Sequence, residues 1–230
     1  MKGGPGEHIP SRLLEIIDRG AGDFAQDTAQ KKHLTYMGEA ARSHTMTHTM
    51  IQKLRLGVVD TLVPGSGEWS LVYSSEMHGY SLNTLMRNAK NGPQKGCFIL
   101  SVLEDFGTQE EYERVFGAVF FEPLRFEKAS YGTIDTALFR FKTPRAQDMS
   151  KGSNAILNIY SAKSIENRRM YIIAKKEYLA FGCGNGRFGL QFEKSLQQGE
   201  SHGVETFNND TLSHRERFKI SRIELWHVEA

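Results

Sequence analysis

Residues 184–189 read Gly-Asn-Gly-Arg-Phe-Gly, the Gly-x-Gly-x-x-Gly spacing with which a nucleotide-binding turn admits phosphate. That chemistry needs a strand before the glycines and a helix after them, so that the helix N-terminus receives the anion. Here Phe188, Leu190 and Phe192 recur at period two, which is strand spacing. The segment predicts a hairpin instead, with Asn185-Gly186 as a type I′ turn. A kinase-like glycine flap is also strand-turn-strand, but no Lys-bearing strand or His-Arg-Asp loop follows to complete it.

Other reactive side chains are scattered. His44 and His48 stand four apart, as two ligands on one helix face would. A metal site needs three or four ligands, and no third is near, so the pair reads as exposed polar residues and no metal is expected. Cys97 lies in an apolar run and reads as inert core. Cys183 lies between glycines at a turn, where an exposed, oxidisable thiol is the redox candidate. Nothing in the sequence lowers its pKa. Ser201 precedes His202, but no triad follows from that adjacency, and Ser201 reads as a turn residue satisfying a backbone group. There is no Gly-x-Ser-x-Gly elbow. Asp105, Asp135, Glu205 and Glu224 are available acids, but a carboxyl pair is a matter of distance in space. Glu224 reads as an outward charge or a paired acid. No catalytic residue and no cofactor are assigned.

The elements that must position these groups are mostly strands. Residues 1–10 are rich in Gly and Pro and read as disordered. Ser11 is placed to cap a short helix with Leu13, Leu14, Ile16 and Ile17 on one stripe. Residues 20–43 read as loop. A second helix is predicted from about His44 to Leu56, with Met46, Met50, Ile51 and Leu54 at helical spacing. Pro64 to Gly67 form a turn cluster. The expected organisation is a flexible extension over 1–43, a helical lead-in over 44–66 and the main domain over 67–230.

Within that domain Trp69, Leu71 and Tyr73 alternate with polar residues, and Ser81 opens a helix carrying Leu82, Leu85 and Met86. The run from Cys97 to Leu103 is apolar on both faces and reads as a covered central strand. Residues 104–114 carry Glu104, Asp105, Glu110, Glu111 and Glu113 and read as a solvated acidic loop. Strands are predicted at Val115–Phe121, Ala137–Phe141, Ala155–Tyr160, Met170–Ala174, Tyr178–Gly182, Phe188–Phe192, Gly203–Phe207 and Phe218–Val228. The last changes inward parity between Ile220 and Ile223, where a bulge would restore the face. Short strands broken by turns predict an antiparallel sandwich.

The 230 residues are 39% hydrophobic and 10% aromatic, enough for a substantial core. Lys and Arg number 29 against 27 acids, a balance of +2 that favours neither nucleic acid nor an anionic membrane as main partner. Two cysteines give no disulfide framework and suggest a reducing compartment. The N-terminus lacks the apolar run of a signal peptide, and no stretch nears the ~18 apolar residues of a membrane span. A cytoplasmic protein is the expectation.

Several segments, in order, resemble a TLDc domain, the domain of the oxidation-resistance proteins. Trp69–Ser74 followed by His78-Gly79-Tyr80-Ser81-Leu82 is similar to its opening strand, His-Gly-x-Ser and helix. Phe116-Gly117-Ala118 and Tyr131-Gly132-Thr133 through Phe139 resemble later segments. So do the glycine turn (Gly182, Gly184, Gly186, Gly189), Gly199-x-Ser201, Thr206-Phe207 and Glu224-Leu225-Trp226. The cover runs from about residue 67 to 229. Departures are a longer loop over Gly107–Arg114, Cys183 within a glycine run, Val204 where a relative carries cysteine, and Gln191 for a Trp or apolar residue. These changes weaken any thiol-based mechanism.

The resemblance implies an α+β fold, a β-sandwich of two antiparallel sheets with flanking helices, in a short, nearly TLDc-only member. It implies a role in oxidative-stress protection, and several members bind the vacuolar proton-pumping ATPase and regulate its assembly. The expectation is a monomeric, non-enzymatic regulator that docks on peripheral subunits of that pump and is recruited through it to vacuolar or lysosomal membranes. The alternative is an enzyme or a thiol-based peroxide scavenger.

Overall fold

The computed structural model describes residues 42–65, 67–105, 112–144, 155–162 and 170–229. All belong to one compact unit, Tyr36–Ala230. The helix expected after Ser11 lies outside the described residues.

Among the described residues ten strands form one hydrogen-bonded sheet: β1 (Trp69–Ser74), β2 (Cys97–Asp105), β3 (Tyr112–Phe120), β4 (Ala137–Pro144), β5 (Ile156–Ser161), β6 (Ile172–Ala174), β7 (Tyr178–Gly184), β8 (Arg187–Glu193), β9 (Gln198–Glu200) and β10 (Arg217–Val228). Their order is β5-β4-β3-β2-β10-β9-β8-β7-β6, and β1 pairs with β10. Every pairing is antiparallel. The path reaches β9 only through Arg217–Lys219 at the start of β10. Phe98, Leu100, Phe116, Phe120 and Leu138 nevertheless pack in one buried cluster with Ile172, Leu179, Phe181, Leu190 and Phe192, from the far end of the path. The sheet therefore folds back on itself into two layers, the expected sandwich.

Alternation along β2 shows why both faces are apolar. Phe98, Leu100 and Val102 enter the core between the layers. Cys97 and Ile99 face a second core, shared with Val119, Phe139, Phe141, Trp226 and Val228. That outer core is covered by α1 (His48–Leu54), which buries Met50, Ile51 and Leu54. Thr47 caps it by accepting from the Met50 N–H. A π-helical turn over Arg55–Val59 and a short α2 (Asp60–Leu62) continue it, burying Val58 and Val59. The helical lead-in and the strands thus share a core.

Two further helices follow β1: α3 (Ser75–His78) and α4 (Leu82–Asn91). Ser81 caps α4, and Leu82, Leu85, Met86 and Ala89, at i, i+3, i+4 and i+7, pack into the inner core.

Two expectations are corrected. Residues 203–207 form loop and turn rather than a strand, and the strand between β8 and β10 is β9. Val204, Thr206 and Phe207 are buried, but the backbone is held by side chains. Asn209 Oδ1 accepts from the Val204 N–H, and its Nδ2 donates to the His202 and Asp210 carbonyls. Nor does the acidic stretch begin at 104, because β2 runs through Asp105. Glu104 is buried and takes the His214 N–H with both oxygens, at 2.9 and 3.1 Å.

Candidate functional site

Three groups of contacts gather the residues singled out in the sequence. The first is built where β10 bulges. Ile220 faces Glu104 and Arg222 faces Leu103, so Ser221 is the extra residue. The bulge restores the inward face to Ile223 and Leu225, as the parity change predicted. It also leaves two backbone groups outside the ladder, and both find partners. Ser75 Oγ accepts from the Ile223 N–H at 3.1 Å, and the Tyr80 hydroxyl donates to the Ser221 carbonyl.

The His78-Gly79-Tyr80-Ser81 turn thus sits on the bulge. Gly79 takes φ 72° at the corner. Tyr73 is fully buried beneath the turn; its hydroxyl donates to the Gly79 carbonyl and accepts from the Ser81 N–H. Burial pushes the Tyr73 hydroxyl pKa up, which keeps it a donor. The His78 ring stacks on the Tyr73 ring with centroids 5.5 Å apart, and its Nδ1 lies 3.1 Å from the Ser74 backbone N.

Glu224 completes this group, and it corrects the outward reading. Its side chain points into the outer core and the residue is 1% exposed. Four donors surround the carboxyl: Ser43 Oγ at 2.6 Å, the His44 N–H at 2.9 Å, Thr45 Oγ1 at 2.7 Å and Trp226 Nε1 at 3.0 Å. The chain before α1 is thereby fastened to the last strand. His44 precedes α1 and pairs with Glu76 at 2.6 Å, so it shares no helix face with His48. Among the described residues no three His, Cys, Asp or Glu side chains converge as metal ligands. A cleft of about 370 Å³ opens here, lined by His44, Glu76, His78 and Trp226.

The second group surrounds the glycine hairpin. Asn185 (φ 53°) and Gly186 (φ 75°) form the tight turn joining β7 to β8, and β8 follows directly, so no helix starts at Gly189. Gly182 (φ 68°) is required twice over, since a Cβ there would also lie 2.5 Å from the Phe207 ring. At Gly184 and Gly189 the need is space: a Cβ would approach the Glu205 nitrogen and the Phe181 carbonyl at 2.8 and 3.0 Å. Ser201, fully buried, donates to the Gly189 carbonyl at 2.8 Å and accepts from the Leu212 N–H at 2.9 Å. It therefore ties β8 to the loop at Leu212 by satisfying backbone groups, and presents no free hydroxyl. Thr206 bridges the Cys183 N–H and carbonyl, a contact the spacing did not show.

Beside this hairpin runs a charged cluster. His202 Nε2 lies 3.4 Å from Glu200 and its Nδ1 3.5 Å from Glu216; Arg217 reaches Glu200 at 2.7 Å. Burial works against the Glu200 charge, but hydrogen bonds from His202 and Arg217 outweigh it and hold the carboxyl below its ordinary value of 4.5.

Tyr131 and Gly132 form the third group. Tyr131 exchanges two backbone hydrogen bonds of 2.9 Å with Ile172, extending the β6 edge. Its hydroxyl bonds both backbone groups of Arg125, whose guanidinium lies 4.3 Å over the ring. Burial pushes the Tyr131 pKa up to about 12.

Burial likewise raises the Cys97 thiol to about 12, so it stays protonated at neutral pH. Cys183 is half-buried with a free thiol.

These features define a class: an antiparallel sandwich with a helical cover, whose motif residues brace turns and termini. The chain belongs to the TLDc family, whose domain description matches residues 40–229. It is 35% identical over 161 residues to "Oxidation resistance protein 1" of Homo sapiens, a match covering 70% of this chain and 16% of that protein. "Nuclear receptor coactivator 7" of Gallus gallus is 34% identical over 161 residues, covering 70% of this chain and 15% of that protein. The match thus spans about one sixth of each relative's length.

Proposed function

We propose that this TLDc protein is a non-enzymatic docking module of the oxidative-stress response. In this reading it binds peripheral subunits of the vacuolar proton-pumping ATPase and shifts the balance between assembled and disassembled pump. The observation that carries it is how the motif side chains are engaged. Glu224 receives four donors, Ser201 makes two buried hydrogen bonds, and Tyr73 holds the His-Gly-x-Ser turn from below. Their work is to fix a surface. The relatives' name, oxidation resistance, supports the stress setting.

The mechanism is differential binding: a ligand moves an equilibrium only by its preference for one state. A ten-fold preference needs about 1.4 kcal/mol. Among the described residues no helix is long and apolar enough to cross a membrane, so membrane recruitment in this reading comes through the pump.

The full chain, immobilised and exposed to lysates holding either assembled or disassembled pump, is expected to retain pump subunits from one more than the other. Recovery from neither would overturn the reading. The half-buried Cys183 thiol supports a second reading, a peroxide scavenger. The two readings separate on a Cys97→Ser, Cys183→Ser double variant: a docking module keeps its protection of cells, and a scavenger loses it.

A further inference from the structure

Beside α4, bordering the third group at Arg125, lies a cleft of about 530 Å³, within the roughly 300–1,000 Å³ range of ligand sites. Its floor is Met86 and Leu124, both buried, and its far wall is Pro123 and Phe126. Phe126 is 38% exposed, an aromatic ring left at the rim. Arg87 and Lys90, one turn apart on the exposed face of α4, border the near side.

Among the described residues the charge on that border meets no counter-charge. The nearby carboxyls are engaged elsewhere, since Glu122 and Glu127 both hold Arg125, at 3.1 and 3.2 Å. No carboxylate among the described residues pairs with Arg87 or Lys90. Lys90 lies in the last turn of α4, where a cation suits the helix dipole. Arg87 precedes that turn, and the dipole effect fades within it. Two free cations along an apolar trough with an exposed ring match one kind of occupant: acidic groups along one side and large apolar side chains along the other. A bare polyanion would leave the floor and Phe126 unused, and nucleic acid would call for a broader basic surface than a chain of net charge +2 offers.

We infer that the cleft between α4 and residues 123–126 is a docking groove for an acidic peptide segment of a protein partner, anchored by an aliphatic or aromatic side chain. The inference rests on the docking reading above and not on the pump being the partner.

The test is a fluorescence-anisotropy titration of the full chain with a labelled peptide of Asp and Glu around a central Leu and Phe. Two comparison peptides carry Asn and Gln for the acids, or Ser for the Leu and Phe. Saturable binding is expected, weakened at least about ten-fold by either change to the peptide. The Arg87→Glu, Lys90→Glu double variant and the separate Phe126→Ser variant should each weaken it comparably. All three positions are exposed, and an unchanged thermal midpoint confirms folding. No saturable binding, or equal binding to the peptide lacking Leu and Phe, overturns the groove. So does equal binding by the variants, or an affinity for phosphatidylserine vesicles that depends on Arg87 and Lys90 and exceeds that for the peptide. If the double variant loses the peptide yet still captures pump subunits as wild type does, the groove and the pump reading both stand, on separate surfaces. If wild type captures none yet binds the peptide, the pump reading fails and the groove stands.

Discussion

Glu224 carries more of this molecule than its place in a strand suggests. Replacing it with Ala strands the buried Trp226 Nε1–H, removes the acceptor of the part-buried His44 N–H and frees two hydroxyls. Buried donors left without partners cost about 1–3 kcal/mol each, so Glu224→Ala should destabilise by on the order of 3 kcal/mol. Glu224→Gln keeps one acceptor and should lose about half of that. Urea melts of the three proteins check this, and a loss under about 0.5 kcal/mol for Ala would mean that Glu224 does not fasten the two segments. Glu200 is the residue whose bonding depends on pH. Its folded pKa is depressed, so its stabilisation is complete above the unfolded value and is lost as pH falls through the lower folded value. Arg217→Ala removes part of that depression. The stability gap between wild type and variant should be small, because Arg217 is well exposed. It should be present at neutral pH and should shrink below about pH 4. A gap constant with pH, read from thermal midpoints, would refute the assignment.

Among the elements, α1 has the clearest energetic role. Ile51 is 1% exposed against the outer face of the sheet, and truncating such a side chain costs about 2–5 kcal/mol. Ile51→Ala is expected to fall in that range by denaturant melt, whereas the exposed Leu56→Ala should stay within about 0.5 kcal/mol. An equal, small loss at both would mean that the helix merely rests on the strands. The helical spacing of Met50, Ile51 and Leu54 made this helix legible, an unbroken apolar run marked β2, and period-two alternation marked β1, β8 and β10, down to the bulge near Ser221. Asn185-Gly186 identified its own turn because few residue pairs accept two positive φ angles. The direction of Glu224 was not legible. Its donors at 43–45 lie some 180 residues earlier, and no local pattern records which face a distant segment covers. The 203–207 segment misled because buried Val204 and Thr206 alternate as strand residues do, while the Val204 N–H is met by the Asn209 side chain rather than by a neighbouring strand. The joining of Tyr73, Ser75 and Tyr80 around one bulge likewise depends on pairing across the sheet.

At the scale of the whole molecule, β10 is the shared neighbour. It pairs with β2 along most of its length, with β9 at its start and with β1 at its end, where Trp69 faces Val228. Both cores contain its side chains, Ile223 and Leu225 in one and Trp226 and Val228 in the other. Contacts this distant along the chain close late, because loop closure must precede them. A polypeptide that stops short of Arg217 would carry three unpaired strand edges and two half-built interiors, whether it is still emerging from a ribosome or ends at a premature stop codon. Such a fragment has no stable smaller version of itself to adopt. A chain lacking β10 therefore loses both interiors in one step, so truncation at this end acts on stability all at once rather than by degrees.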